Sequence, residues 1–164
     1  MRFKMKNMND IVEEIQKLAE LLEYPVYPGV TANLPYYDFG RKIGSQQHDF
    51  WAQYGQFIRL MDGFQIDGIR IYGLENHGKS KYNRLIEYND ELTLISQKAP
   101  NAYVESYDHL IVIGNNGTDT FVYDVRTQKW DMRDRIAIDE SYESHDTFES
   151  FLSSVVKTIQ VNNA

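Results

Sequence analysis

The sequence predicts an α+β domain in which a mixed, largely antiparallel sheet with a C-terminal meander packs against N-terminal and C-terminal helices. Two observations carry this. Helical periodicity is strongest in two segments near the start and one at the end, and the β-forming runs before the last helix are joined by turns too short for the crossover helix of a parallel α/β sheet. A length of 164 residues fits one domain, 1–164.

The first element is an amphipathic helix over 8–22, with Ile11, Ile15, Leu18 and Leu22 at helical spacing and Glu13, Glu14, Lys17 and Glu20 on the other side. Asp10 and Glu13 stand three apart as in a capping box, and Pro25 and Pro28 stop the helix. The aromatic and Pro-rich stretch 24–45 reads as an ordered loop. Over 47–61, Phe50, Trp51, Tyr54, Phe57, Ile58 and Met61 mark a second helix, ended by Asp62-Gly63. A sheet region covers 66–137. It opens with a strand from Ile66 to Tyr72 carrying Gly68 at a bulge, continues through a stretch (82–95) that suits helix or strand, and reaches a three-stranded meander. The meander strands are His109 to Ile113, Thr120 to Val125 and Trp130 to Ile138, with Trp130, Met132, Ile136 and Ile138 mostly on one face. A last helix over 147–159 has Asp146 and Glu149 framing a capping box and Phe148, Phe151, Leu152, Val155 and Ile159 on its buried side.

Lys and Arg number 17 against 24 Asp and Glu, a net charge of −7. Such a surface repels nucleic-acid phosphates and anionic lipid, so the expected partner is a basic protein, with no nucleic acid and no membrane. With no cysteine, disulfides, thiol nucleophiles and thiolate zinc sites are excluded. The polar start MRFKMKNMND lacks the apolar run of a signal peptide, and the expected location is the cytoplasm.

One motif suggests nucleotide chemistry. Gly73-Leu74-Glu75-Asn76-His77-Gly78-Lys79-Ser80 fits the phosphate-loop pattern directly after a strand, where backbone N–H groups would cradle phosphate and Lys79 would reach it, with Asp124 available as a second magnesium residue. Its interior is bulky and partly anionic, no long apolar-periodic helix follows Ser80, and antiparallel hairpins replace βα crossovers. Gly73, Gly78, Lys79 and Ser80 are therefore read as a decoy. The histidines at 48, 77, 109 and 145 lack helical metal-site spacing, no nucleophile elbow frames a serine, and the pairs Asp90-Glu91 and Asp139-Glu140 read as solvated faces. No enzyme, catalytic residue, metal or cofactor is expected.

Charge is concentrated late. Residues 131–150 hold seven acids (Asp131, Asp134, Asp139, Glu140, Glu143, Asp146, Glu149) and two Arg, for −5. Tyr142 lies among them, and an aromatic within a charged patch is a common make-up for a protein-binding surface. The candidate contact residues are Asp139, Glu140, Tyr142 and Glu143, with Glu75 after the Tyr72 strand as a further one.

Tyr54, Phe57-Ile58, Leu60-Met61-Asp62-Gly63-Phe64, Asp67-Gly68 and Ile71-Tyr72-Gly73 together resemble the signature of the SUKH superfamily, in particular its YrhA-like branch. Leu85 to Asn89, Ile113-Gly114, Asp119, Phe121-Val122-Tyr123-Asp124, Trp130, Asp134-Arg135, Phe148 and Phe151-Leu152 are similar to later positions of that family. The resemblance spans about residues 10 to 157 and implies the same α+β fold and a non-enzymatic role. Many bacterial members are immunity proteins that bind and neutralise polymorphic toxins, often nucleases or deaminases. Others are housekeeping interaction or scaffold modules. An acidic inhibitor suits a nucleic-acid enzyme, whose basic surface it occupies and toward which its charge steers association.

Overall fold

The computed structural model describes residues 6–34, 37–75 and 84–164. Helices α1 (Met8–Leu21) and α2 (His48–Leu60) precede strands β1 (Phe64–Ile66) and β2 (Ile69–Ile71). Helix α3 (Leu85–Lys98) and two short 3-10 turns lead into β3 (Leu110–Asn115), β4 (Asp119–Asp124), β5 (Lys129–Asp134) and β6 (Ser141–His145), and α4 (Phe148–Asn162) ends the chain. The six strands form one sheet in sequence order. Every neighbouring pair is antiparallel, and the parallel component reduces to one isolated bridge between Gly73 and Arg84.

The fold is thus α+β, with elements that depart from expectation in instructive ways. The run around Gly68 is a hairpin rather than one bulged strand: Asp67 and Gly68 take φ of 52° and 79°, the positive values that the two central residues of a tight hairpin turn require. The ambiguous segment is α3. Strand β5 stops at Asp134 instead of Ile138, because the Asp134 carboxylate accepts the N–H groups of Ile136 and Ala137, both at 2.8 Å, and turns the chain. Ile136 is consequently 93% exposed, and only Ile138 returns to the interior. Strand β6 is an additional, sixth strand. The helix caps are Asn7, which accepts from Asp10 N–H at 2.9 Å, and Thr147, which accepts from Ser150 N–H at 3.1 Å, not Asp10 and Asp146.

One sheet face buries an aromatic core against α2 and α4. Trp130 of β5 lies 4.4 Å from Phe148, 4.7 Å from Tyr123 and 5.6 Å from Phe50, measured between ring centroids. Each fully buried ring of this kind contributes about 1.5–3 kcal/mol by burial. Tyr54 joins the cluster and donates its hydroxyl to the Tyr72 carbonyl, so α2 is tied to the sheet by a hydrogen bond as well as by packing. On the other face α3 meets the sheet through Tyr88, whose ring is 5.2 Å from that of Tyr72, and through Asn89. The described part of 24–45 is ordered on this scaffold: Phe39 and Ile43 are buried, and Arg41 donates to the carbonyls of Tyr107 and Leu110 at 2.9 and 2.7 Å.

Candidate functional site

Hydrogen bonding divides the acidic stretch into structural and available carboxylates. Asp131 is buried on β5, receives Ser144 Oγ at 2.6 Å and pairs with Arg133 Nη2 at 2.8 Å. The same Arg133 nitrogen reaches Asp124 at 3.0 Å, and Arg133 Nη1 donates to the Ile138 carbonyl at 3.3 Å, which holds the β5–β6 loop down. Asp134 is occupied by its turn. Asp146 pairs with Lys129 at 3.2 Å. Glu143 faces α4, accepting from Ser154 Oγ and meeting His145 Nε2 at 2.8 Å, while His145 Nδ1 meets Ser150 Oγ at 2.7 Å. This acid, imidazole and hydroxyl chain fastens the edge strand β6 to α4. Burial works against the charged form of Glu143, but the Ser154 and His145 contacts outweigh it and hold its carboxyl below the ordinary value of 4.5.

What remains is Glu149, half-buried in the first turn of α4, and Asp139 and Glu140, both exposed; none of the three carboxylates is bonded to a described residue. Tyr142 beside the exposed pair is 57% exposed for a geometric reason. The β5–β6 register pairs Met132 with Glu143 and Arg133 with Ser141, leaving Tyr142 as the extra residue of a β-bulge. A bulge at a sheet edge re-aims the side chain it carries. Ile136 completes a surface of two large apolar side chains and two unpaired carboxylates on one loop and edge. The sequence reading missed Ile136, having placed it in a strand. The signal that finds it is Asp134, whose type favours a side-chain-capped turn.

Glu75 does not belong to this surface. It follows β2, four strand spacings from β6, or roughly 19 Å across the sheet. Its own N–H and that of Leu74 donate to the buried Asp62 carboxylate at 3.0 and 2.6 Å. The opening of the phosphate-loop motif therefore has two of its backbone donors filled by a carboxylate of the protein itself. Gly78, Lys79 and Ser80 lie outside the described residues. Asp124, the other residue of that motif's chemistry, is engaged by Arg126 and Arg133. Among the described residues no group of three or more His, Asp or Glu is placed to hold a metal ion, and no helix is long and apolar enough to cross a membrane.

A second polar arrangement, absent from the sequence reading, lies on the β1–β2 hairpin. Arg70 pairs in register with Gln65 on one side and Asn115 on the other, so these three share the sheet face opposite the aromatic core. Asn115 Nδ2 donates to the Tyr72 hydroxyl at 2.8 Å. Arg70, Tyr72, Gly73, Glu75 and Arg84 line a cavity of about 40 Å³.

Compared with known proteins, the chain matches no family model, and no curated protein is significantly similar to it.

Proposed function

We propose that this chain is a non-enzymatic protein-binding domain of the SUKH kind, an immunity protein that neutralises a basic toxin domain of nuclease or deaminase type. The observation that carries the reading is the selective availability of the β5–β6 surface. Asp131, Asp134 and Glu143 are engaged by hydrogen bonds and Asp146 by a surface ion pair with Lys129, while Asp139 and Glu140 stand unpaired beside the outward Ile136 and Tyr142. Aromatic and aliphatic anchors ringed by carboxylates suit a partner whose surface is cationic, and the unpaired edge of β6 offers main-chain donors and acceptors beside them. The filled backbone donors at Leu74 and Glu75 speak against the nucleotide-binding alternative.

The test uses the toxin domain encoded next to this chain. Co-expression is expected to restore growth, and the purified pair is expected to associate rapidly at low salt. Reversing charge at Asp139 and Glu140 together should slow association and flatten its dependence on ionic strength. Unchanged association and salt dependence in that variant would exclude this surface. Absence of any toxin-encoding neighbour would favour the housekeeping scaffold reading instead.

A further inference from the structure

Arginine carries five N–H donors and no acceptor, and a donor shut away from water without a partner costs about 1–3 kcal/mol. Arg70 presents that situation. Its Nε has no solvent exposure and no hydrogen-bond partner, and no other atom of its guanidinium bonds to a described residue. Tyr72, two residues along on the same face, accepts from Asn115, so its oxygen is occupied and its hydroxyl proton is not donated to any described residue. Both residues line the same cavity, and neither donor is bonded to an acceptor among the described residues.

We propose that this cavity is a carboxylate site, with Arg70 and the Tyr72 hydroxyl as the donors that hold one carboxylate group. Charge selects that ligand class. The other cation lining the cavity, Arg84, has its charge balanced by Glu87 at 3.4 Å, an ion pair without a hydrogen bond. Asp62 is satisfied by the Leu74 and Glu75 amides, and Glu75 adds a negative charge at the wall. One uncompensated guanidinium against that background suits a monoanion and opposes a dianion. The carboxylate has two possible sources, a free small acid or an acidic side chain of a bound protein, and the proposal is independent of the β5–β6 interface four strands away.

The experiment follows the Arg70 Nε–Hε resonance of the full chain during titration with sodium acetate, with sodium chloride at matched ionic strength as control. Saturable displacement by acetate and none by chloride is expected, and acetate binding should weaken about tenfold or more in Arg70→Gln, followed there through the backbone amides of Tyr72 and Gly73. Arg70→Lys, which keeps the charge and removes the Nε donor, guards against a folding artefact if its melting temperature matches the wild type, and should also weaken binding. N-acetylglutamate amide is the second probe: tighter saturation than by acetate assigns the site to a protein side chain, and equal or weaker saturation assigns it to a free acid. Glu75→Gln should strengthen acetate binding by removing a like charge. A linear response equal to that of chloride overturns the proposal, as does acetate binding that appears only in Glu75→Gln, since Glu75 would then be the occupant.

Discussion

The side-chain amide of Asn89 holds both backbone groups of Val112, donating to its carbonyl at 2.9 Å and accepting its N–H at 3.0 Å. Strand β2 ends at Ile71 and last meets β3 where Tyr72 N–H reaches the Ile113 carbonyl, so Asn89 acts as a one-residue continuation of the missing strand. Its remaining amide hydrogen goes to Leu85 O at 2.8 Å, and Arg41 Nη2 donates to its oxygen at 3.0 Å. The residue is fully buried and its four partners come from the start of its own helix, the sheet and the 24–45 segment. Asn89→Ala should therefore destabilise by about 2–4 kcal/mol, because it strands several buried polar groups at once. Asn89→Asp keeps the acceptors for Val112 and Arg41 and should lose less. Urea unfolding of both checks the order, and equal midpoints for wild type and Asn89→Ala would contradict it.

Substitutions in the β5–β6 region should separate cleanly into two classes. Ile136→Ser, Asp139→Lys, Glu140→Lys and Tyr142→Ala remove exposed groups and should shift stability by no more than about 0.5 kcal/mol. Arg133→Ala leaves the buried Asp124 and Asp131 without their shared cation and should cost about 3–5 kcal/mol. Thermal unfolding of the five variants decides it. A large loss from any of the first four would mean that the surface is structural and not reserved for a partner.

Three carboxyls are held low: Asp134 by the Ala137 and Ile136 amides of its turn, and Asp124 and Glu143, which set the acid limit. Burial opposes ionisation of Asp124, but hydrogen bonds from Arg126 and Arg133 hold it below its ordinary 3.8, and Glu143 is held below 4.5 by Ser154 and His145. A carboxyl with a depressed folded value contributes stability that is present above its unfolded value and is lost as pH falls through the folded one. Urea midpoints should therefore stay level from neutral pH to about 5 and decline below about 4. Glu143→Gln should shallow that decline, and an identical acid profile in the variant would remove Glu143 from the account.

Tyrosine sets the alkaline limit. Burial pushes the phenols of Tyr54, Tyr72, Tyr88 and Tyr107 above the usual 10, and that of Tyr123 up to about 12. A raised folded value means stability that is complete below the unfolded value and lost as pH rises through the folded one. Tyrosinate absorbance from these phenols should accordingly appear above the ordinary tyrosine range, together with the collapse of near-ultraviolet circular dichroism. A single unshifted titration with the native signal intact would contradict the packing of these rings.

The parts of the fold that were legible in the sequence are those where one physical signal dominates. The β3–β4 hairpin shows β-formers on both sides of Asn116-Gly117, and Gly117 takes a φ of 95° that other residues resist. The aromatic stripe of α2 is visible because six apolar residues share a helical face. Helix α3 was ambiguous because its buried side is partly polar, anchored by Asn89 in place of an apolar stripe. Strand β6, Ser-Tyr-Glu-Ser-His, has no β-branched residue, and its inward side chains Glu143 and His145 reach α4 through hydrogen bonds. Its pairing is tertiary information. So is Arg70, whose neighbours Gln65 and Asn115 are fixed by strand register and lie 45 positions apart from Arg70 on one side and five on the other. The tyrosine at 142 could be read as outward from its acidic neighbours, but the bulge that turns it out is a property of the register.

The phosphate-loop motif gives the last prediction. A bound phosphate needs free N–H groups after the first glycine, and here Leu74 and Glu75 donate theirs to the Asp62 carboxylate at 2.6 and 3.0 Å. The first glycine has a structural duty of its own: a Cβ at Gly73 would stand 2.3 Å from the Asp62 carbonyl oxygen and 2.5 Å from its carboxylate. Gly73→Ala should therefore destabilise by about 1–3 kcal/mol through a clash with backbone that cannot swing aside. For phosphate to enter, Asp62 would have to surrender two charge-assisted bonds and remain close by as a like charge. Calorimetric titration with Mg-ATP and Mg-GTP at millimolar concentration should give no heat beyond dilution. Asp62→Ala should likewise show none, since the freed amides still stand in an antiparallel sheet and not at the βα crossover of a nucleotide-binding core. Saturable heat in the wild type would restore the nucleotide reading and displace Asp62 from its role.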